Sequence, residues 1–230
     1  MTTPSPHTSP GRAGSKLRGL YVITPDGAPD AAQLQTRVTA ALRGGARIVQ
    51  YRDKSGDHGR RLETAHALRE LCEAHAALLI INDDAHLAHA IDAHGVHLGQ
   101  QDMPLEDARA LLGPEAVIGI TCHERLDRAI AAELGGADYV AFGAAFPSPT
   151  KPDAARVPLM LFAQAREVLN VPVCAIGGIT AENASEVITA GADMVAVSSG
   201  VFDRPDPEAE AEARRLAALF RAGQRYKVQG

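Results

Sequence analysis

Two acidic residues, Asp83 and Asp102, each stand just beyond a short apolar run, Leu78–Ile81 and Gly95–Leu98 respectively. Brought together, two carboxylates suit a hard divalent cation such as Mg²⁺, completed by water and phosphate oxygens. Each also has a plainer reading, as the cap of a helix starting near Asp84 or near Pro104. Another apolar run, Ala46–Tyr51, leads into Gln50-Tyr51-Arg52-Asp53-Lys54, where period-two alternation aims Gln50, Arg52 and Lys54 the same way. Two fixed cations and an amide so placed suit an anionic substrate. A solvated strand end with an ion pair to Asp53 is the alternative.

The longest helix-free connection, residues 143–157, carries Ser148, Thr150 and Lys151 among Pro147, Pro149 and Pro152. Short hydroxyls and a lysine can hold a phosphate or diphosphate on a backbone stiffened by proline; an exposed polar loop is the bland reading. Gly177-Gly178 and Ser198-Ser199 each follow a further apolar run, where main-chain amides could approach an anion closely and Thr180 could cap the next helix. Glycines serving tight turns alone would look the same. Thr121-Cys122-His123 ends one more run, which makes His123 the site candidate among nine histidines. His86, His89, His94 and His97 read as surface or packed neutral imidazoles, and Cys174 as a small core residue. Neither G-x-S-x-G nor H-E-x-x-H is present.

These residues need elements to position them. β-Branched apolar runs at 19–23, 46–51, 78–81, 95–98, 116–120, 139–142, 171–175 and 194–197 alternate with helical patterns near 30–43, 58–75, 84–91, 104–112, 124–134, 158–169, 181–189 and 206–221. Several helices end in a similar phrase, such as Gly135-Gly136-Ala137-Asp138 and Ala190-Gly191-Ala192-Asp193, in which glycine supplies the left-handed turn that stops a helix. Eight such units in somewhat over 200 residues predict an α/β fold, a single (β/α)8 TIM barrel, over an open doubly wound sheet. No G-x-G-x-x-G follows the first strand, which argues against a dinucleotide fold. In a barrel the polar residues above gather at one mouth, because they all follow the carboxyl ends of strands.

The chain has 230 residues, 46% of them hydrophobic and 22% charged, enough for one sizeable core. We place the barrel domain at 17–223, flanked by a disordered tail at 1–16, poor in aliphatic side chains, and a short tail at 224–230. With 23 Lys plus Arg against 28 Asp plus Glu, the formal charge of -5 is a poor match to a nucleic-acid binder. No apolar stretch approaches a membrane span or a secretory signal. Cys72, Cys122 and Cys174 lie far apart and form no C-x-x-C pair, which fits a reducing cytoplasm.

Taken together, Gln50-Tyr51-Arg52-Asp53-Lys54, Asn82-Asp83, Gly95-Val96-His97-Leu98-Gly99-Gln100-Gln101-Asp102, Ser148-Pro149-Thr150-Lys151-Pro152-Asp153 and Ala175-Ile176-Gly177-Gly178-Ile179-Thr180 resemble the thiamine-phosphate synthase family over about 20–201. The resemblance implies a (β/α)8 transferase that joins 4-amino-2-methyl-5-pyrimidinylmethyl diphosphate to a thiazole phosphate, giving thiamine phosphate and pyrophosphate. It implies that Gln50, Arg52, Lys54, Asn82, Thr121 and Lys151 bind the pyrimidine diphosphate, with Lys151, Lys54, Arg52 and Thr121 the catalytic set, and that Asp83 and Asp102 carry Mg²⁺. The thiazole phosphate falls to Ser148, Pro149, Thr150, Gly177, Gly178, Ser198 and Ser199. Thr121 stands where the family usually has serine, and Ser148 where it usually has threonine; both keep a hydroxyl. A homo-oligomer is consistent with the resemblance and with base rates. A thiazole tautomerase with His123 as acid or base, and a non-catalytic phosphate-ligand binder on the same scaffold, are the competing readings.

Overall fold

The computed structural model describes residues 17–27, 30–147 and 156–222. Eight strands alternate with helices: β1 (Gly19–Ile23), α1 (Ala31–Gly44), β2 (Ile48–Tyr51), α2 (His58–Ala74), β3 (Leu78–Asn82), α3 (Ala85–Ala90), β4 (Gly95–Leu98) and α4 (Leu105–Leu112) form the first half. The second half is β5 (Val117–His123), α5 (Leu126–Leu134), β6 (Tyr139–Phe142), α6 (Leu159–Val168), β7 (Val173–Ile176), α7 (Ala184–Ala190), β8 (Met194–Val197), α8 (Ser199–Phe202) and α9 (Asp206–Ala222). Neighbouring strands pair in parallel in sequence order, and β8 returns to β1 with Leu20 opposite Val195, so the sheet closes. The (β/α)8 barrel expected from the alternation is the architecture observed.

Closure divides the apolar residues into two bodies. Outward-facing residues such as Val22, Val49 and Leu79 pack under the helices, while Tyr21, Ile48, Ile80, Tyr139 and Met194 fill the interior. Both derive from strand alternation.

The repeated turn phrase has a structural duty. Asp138, just before β6, accepts the Ile118 amide of β5 at 2.8 Å and pairs with Arg109 at 2.6 Å. Asp193, just before β8, accepts the Val173 amide of β7 at 3.0 Å and pairs with Arg166 at 3.0 Å. Each aspartate ties the start of its own strand to the preceding one, at the end of the barrel away from the mouth.

Among the elements whose bounds differ from expectation, β7 and α7 do so for identifiable reasons. β7 begins at Val173, two residues late, because Pro172 has no amide hydrogen to give a ladder. α7 begins at Ala184, not near 181, because the Asn183 side chain accepts the Thr180 amide at 2.9 Å and donates to the Gly178 carbonyl at 2.9 Å, folding 180–183 into turns. Thr180 is therefore not a helix cap. α8 is a single turn that the apolar pattern does not announce.

Candidate active site

Arg52 and Lys54, beyond the carboxyl end of β2, stand at the mouth, and Gln50, which alternation aims the same way, lies buried beneath them. Asp26, in the turn after β1, anchors this end: its Oδ2 lies 3.0 Å from Arg52 Nη1 and its Oδ1 accepts the Lys54 amide at 2.7 Å. Thr24 Oγ1 accepts the Arg52 amide at 2.9 Å. Asp53 does not pair with its neighbouring cations. It turns outward to Arg60 at 3.0 Å and accepts the Ser55 amide at 2.8 Å, which fixes the loop's curvature. Burial alone would raise the Asp53 carboxyl, but the Ser55 amide and hydroxyl and the Arg60 charge outweigh it and hold it below the usual carboxylate value.

Asp83 and Asp102 come together at the ends of β3 and β4. Neither caps a helix: Asp84 takes that position in α3, accepting the Leu87 amide at 2.9 Å, and α4 begins after Pro104 without a side-chain cap. Asp83 holds a left-handed backbone, φ +63°, its amide donating to the His97 carbonyl at 2.8 Å. Such a conformation costs an aspartate about 1–3 kcal/mol and is typical of sites where a side chain must point one way. Asp102 Oδ2 accepts the Gly99 amide at 2.6 Å. Its carboxyl is pushed above the usual value, first by burial and then by the Asp83 carboxylate beside it, against the pull of the Gly99 amide and of Lys54. Lys54 Nζ reaches Asp83 Oδ2 at 3.1 Å. Two carboxylates that repel each other while a lysine leans on one form the donor set a divalent cation would relieve, although among the described residues no cluster of three or more metal-ligating side chains exists. Asn82 and Met103 join Lys54 and Asp83 in lining an open cleft of about 330 Å³ beside them.

On the far side of the mouth, Gly177 (φ +99°) and Gly178 (φ +62°) do more than leave amides free. A Cβ on Gly178 would stand 2.4 Å from the Pro147 carbonyl oxygen, and one on Gly177 would stand 2.8 Å from Ala144 Cα. The Phe146 amide donates to the Gly177 carbonyl at 3.0 Å. The two glycines thus let the loop leaving β6 lie flat against the β7 end. Ser148, Pro149, Thr150 and Lys151 lie outside the described residues. Ser198, half-buried, precedes α8, its carbonyl accepting the amides of Val201 and Phe202; Ser199 is exposed.

Thr121 sits where β5 loses register with β6 between Thr121 and His123. Its hydroxyl lies 2.8 Å from His97 Nε2. Behind it runs a set of polar groups that the residue types alone did not reveal: His97 Nδ1 to the Tyr139 hydroxyl at 2.9 Å, Tyr139 to the Tyr21 hydroxyl at 2.9 Å, and Gln50 Nε2 donating to Tyr21 at 2.7 Å. Burial drives the His97 imidazole down to about 4, against the opposing effect of Asp83, so it is neutral at physiological pH. His97 is packed and neutral, as expected, yet it touches a site residue, whereas His123 is exposed. His94 accepts the Leu79 amide at 2.9 Å, and His86 and His89 are exposed on α3. The available signal was alternation: Gly95 and His97, like Gly119 and Thr121, face the barrel interior, where a polar side chain needs a partner.

The comparisons agree with one another. A family model described as "Thiamine monophosphate synthase" matches residues 20–201. The thiamine-phosphate synthase of Thioalkalivibrio sulfidiphilus is 68% identical over 207 residues, covering 90% of this chain and 97% of that protein. That of Chromobacterium violaceum is 54% identical over 207 residues, covering 90% and 98%. Among solved structures, a thiamine phosphate pyrophosphorylase from Pyrococcus furiosus superposes with a TM-score of 0.80 at 34% identity, covering 92% of this chain and 98% of its own.

Proposed function

The chain belongs to the thiamine monophosphate synthase family and is a transferase that makes thiamine phosphate; we propose how its residues divide that work. The pyrimidine diphosphate lies over the mouth, its ring against Gln50 and Thr121 and its diphosphate against Arg52, Lys54, Asn82 and Lys151. Asp83 and Asp102 hold Mg²⁺. The thiazole phosphate occupies the opposite side, at Ser148, Pro149, Thr150, Gly177, Gly178, Ser198 and Ser199.

The observation that carries this reading is the approach of Asp83 and Asp102 with Lys54 beside them. The bond to be broken joins the pyrimidinylmethyl carbon to diphosphate oxygen, so charge must be neutralised on the leaving group. Arg52 and Lys54 stand ready to donate to its oxygens, and each is held by a carboxylate, Asp26 and Asp83, that the diphosphate can replace as partner. Mg²⁺, when bound, supplies further charge neutralisation on those oxygens. The electron-rich aminopyrimidine steadies the developing cation, and the thiazole nitrogen brings its own lone pair, so no strong general base is required. The site is accordingly rich in clamps, and most of the rate gain comes from holding two substrates in register.

The buried, unpaired thiols of Cys72, Cys122 and Cys174 support a reducing cytoplasmic setting. No helix among the described residues is long and apolar enough to cross a membrane. Mixing both substrates with and without Mg²⁺ and following pyrophosphate tests the reading: release should need both substrates and the metal, and release from the pyrimidine diphosphate alone, or undiminished release in chelator, would contradict it.

A further inference from the structure

We infer that Gln50, Tyr21, Tyr139, His97 and Thr121 form a hydrogen-bond chain of one fixed direction, in which His97 is a positioning residue that makes the Thr121 hydroxyl a donor toward the substrate. The chain runs across the barrel interior, and its members are buried, with Tyr21 at 1% exposure, Tyr139 at 0%, Gln50 at 3% and His97 at 8%; only Thr121 is half-buried at the mouth.

Register explains how it is built. Gly119 of β5 lies between His97 of β4 and Tyr139 of β6 in one layer of the barrel. A Cβ at Gly119 would stand 2.0 Å from Tyr139 Cζ, so the absent side chain is what lets Tyr139 reach His97 across the intervening strand. The two rings stack with centroids 5.5 Å apart, and Tyr21 meets Tyr139 edge-on at 6.1 Å.

Hydrogen accounting sets the direction. A hydroxyl has one hydrogen, and a buried one left unpaired costs about 1–3 kcal/mol. Gln50 Nε2 donates to Tyr21, so the Tyr21 hydrogen goes to Tyr139, the neighbour remaining to it in this chain. The Tyr139 hydrogen then goes to His97 Nδ1, which as the acceptor of that bond carries no hydrogen of its own, so the ring hydrogen sits on Nε2. That proton is donated to Thr121 Oγ1, whose own hydrogen is left to point into the mouth. The reverse order would make Thr121 donate to His97 and show substrate only a lone pair. A donor at Thr121 matches a ring-nitrogen lone pair of an aminopyrimidine and mismatches the ring N–H of a 4-oxopyrimidine. This consequence for substrate rests on the proposal that Thr121 faces the pyrimidine; the direction itself does not.

The full-length enzyme labelled with ¹⁵N-histidine provides the test, the His97 signals being assigned by their loss in His97→Gln. In the free protein at neutral pH, Nε2 should be pyrrole-type and Nδ1 pyridine-type; the opposite tautomer overturns the proposal. Tyr139→Phe removes the hydroxyl between Tyr21 and His97, which bonds neither Gln50 nor Thr121, and should raise KM for the aminopyrimidine diphosphate about tenfold, the value of one hydrogen bond, with kcat and the thiazole KM nearly unchanged. It should also narrow discrimination against the 4-oxo analogue. His97→Gln keeps an amide donor for Thr121 and should retain more of that discrimination than His97→Leu. Equal losses in the two histidine variants, or equal rises in both KM values, would overturn the positioning role. A correct tautomer with only the thiazole KM moved would leave the direction standing and overturn the placement of the pyrimidine.

Discussion

The two ends of this barrel use aspartate for opposite purposes. At the end away from the mouth, Asp138 and Asp193 each accept a strand amide and face an arginine. At the mouth, Asp83 and Asp102 face each other, and Lys54 stands 3.1 Å from Asp83. The first pair is a completed set of contacts whose removal harms the fold. The second pair is incomplete within the protein, carrying like charges together in a place where a cation and a diphosphate can complete it. The same chemistry, read in its surroundings, thus separates residues that hold the barrel from residues proposed to serve the reaction.

The largest effect should come from the mouth. Asp102→Ala should reduce turnover by about 10²–10³, the usual loss for one electrostatic participant in a transition state, while thermal unfolding shifts by no more than about 4 °C because only the Gly99 amide loses a partner. A steady-state assay beside a melting curve checks both, and a collapsed fold with that variant would erase the distinction between the ends.

Asp138→Ala should do the reverse. It strands the Ile118 amide and removes the ion partner of Arg109, whose guanidinium keeps the Gly113, Ala116 and Gly136 carbonyls, costing about 2 kcal/mol in urea unfolding, with kcat close to wild type. Loss of activity in a variant that stays folded would show that this end also communicates with the site.

Smaller still is the effect at Asp53, which shapes the loop carrying Arg52 and Lys54. Its carboxyl lies below the ordinary value of 3.8 in the folded chain, so the native state binds that proton more weakly than the unfolded one. The contribution is therefore present above the unfolded value and is lost as pH falls through the folded one. Asp53→Asn should cost up to about 1 kcal/mol near neutrality, and the gap from wild type should close as pH falls from about 5 to about 3. A gap that widens on acidification would reverse the assignment.

Much of this was legible in the residues themselves. β-Branched runs such as Ile48–Tyr51 and Met194–Val197 can only be buried strands at this spacing, and their polar successors mark the mouth. Asp26 was not legible, because its contact with Arg52 joins loops 26 residues apart and nothing local announces it. His97, one of four histidines expected on the surface or packed, is packed, and its partners lie 24 and 42 residues away on other strands. Gly119 held the missing clue: a glycine inside a strand often marks close approach by a neighbour, here the Tyr139 ring.

The central claim is that Asp83 and Asp102 make one metal-dependent diphosphate site, and calorimetric titration of inorganic pyrophosphate into the full-length enzyme tests it most directly. Wild type should bind at least about tenfold more tightly with Mg²⁺ than in chelator, a difference of about 1.4 kcal/mol, and the Asp83→Asn, Asp102→Asn double variant should show no such gain. Undiminished Mg²⁺-dependent binding by the double variant would contradict the account.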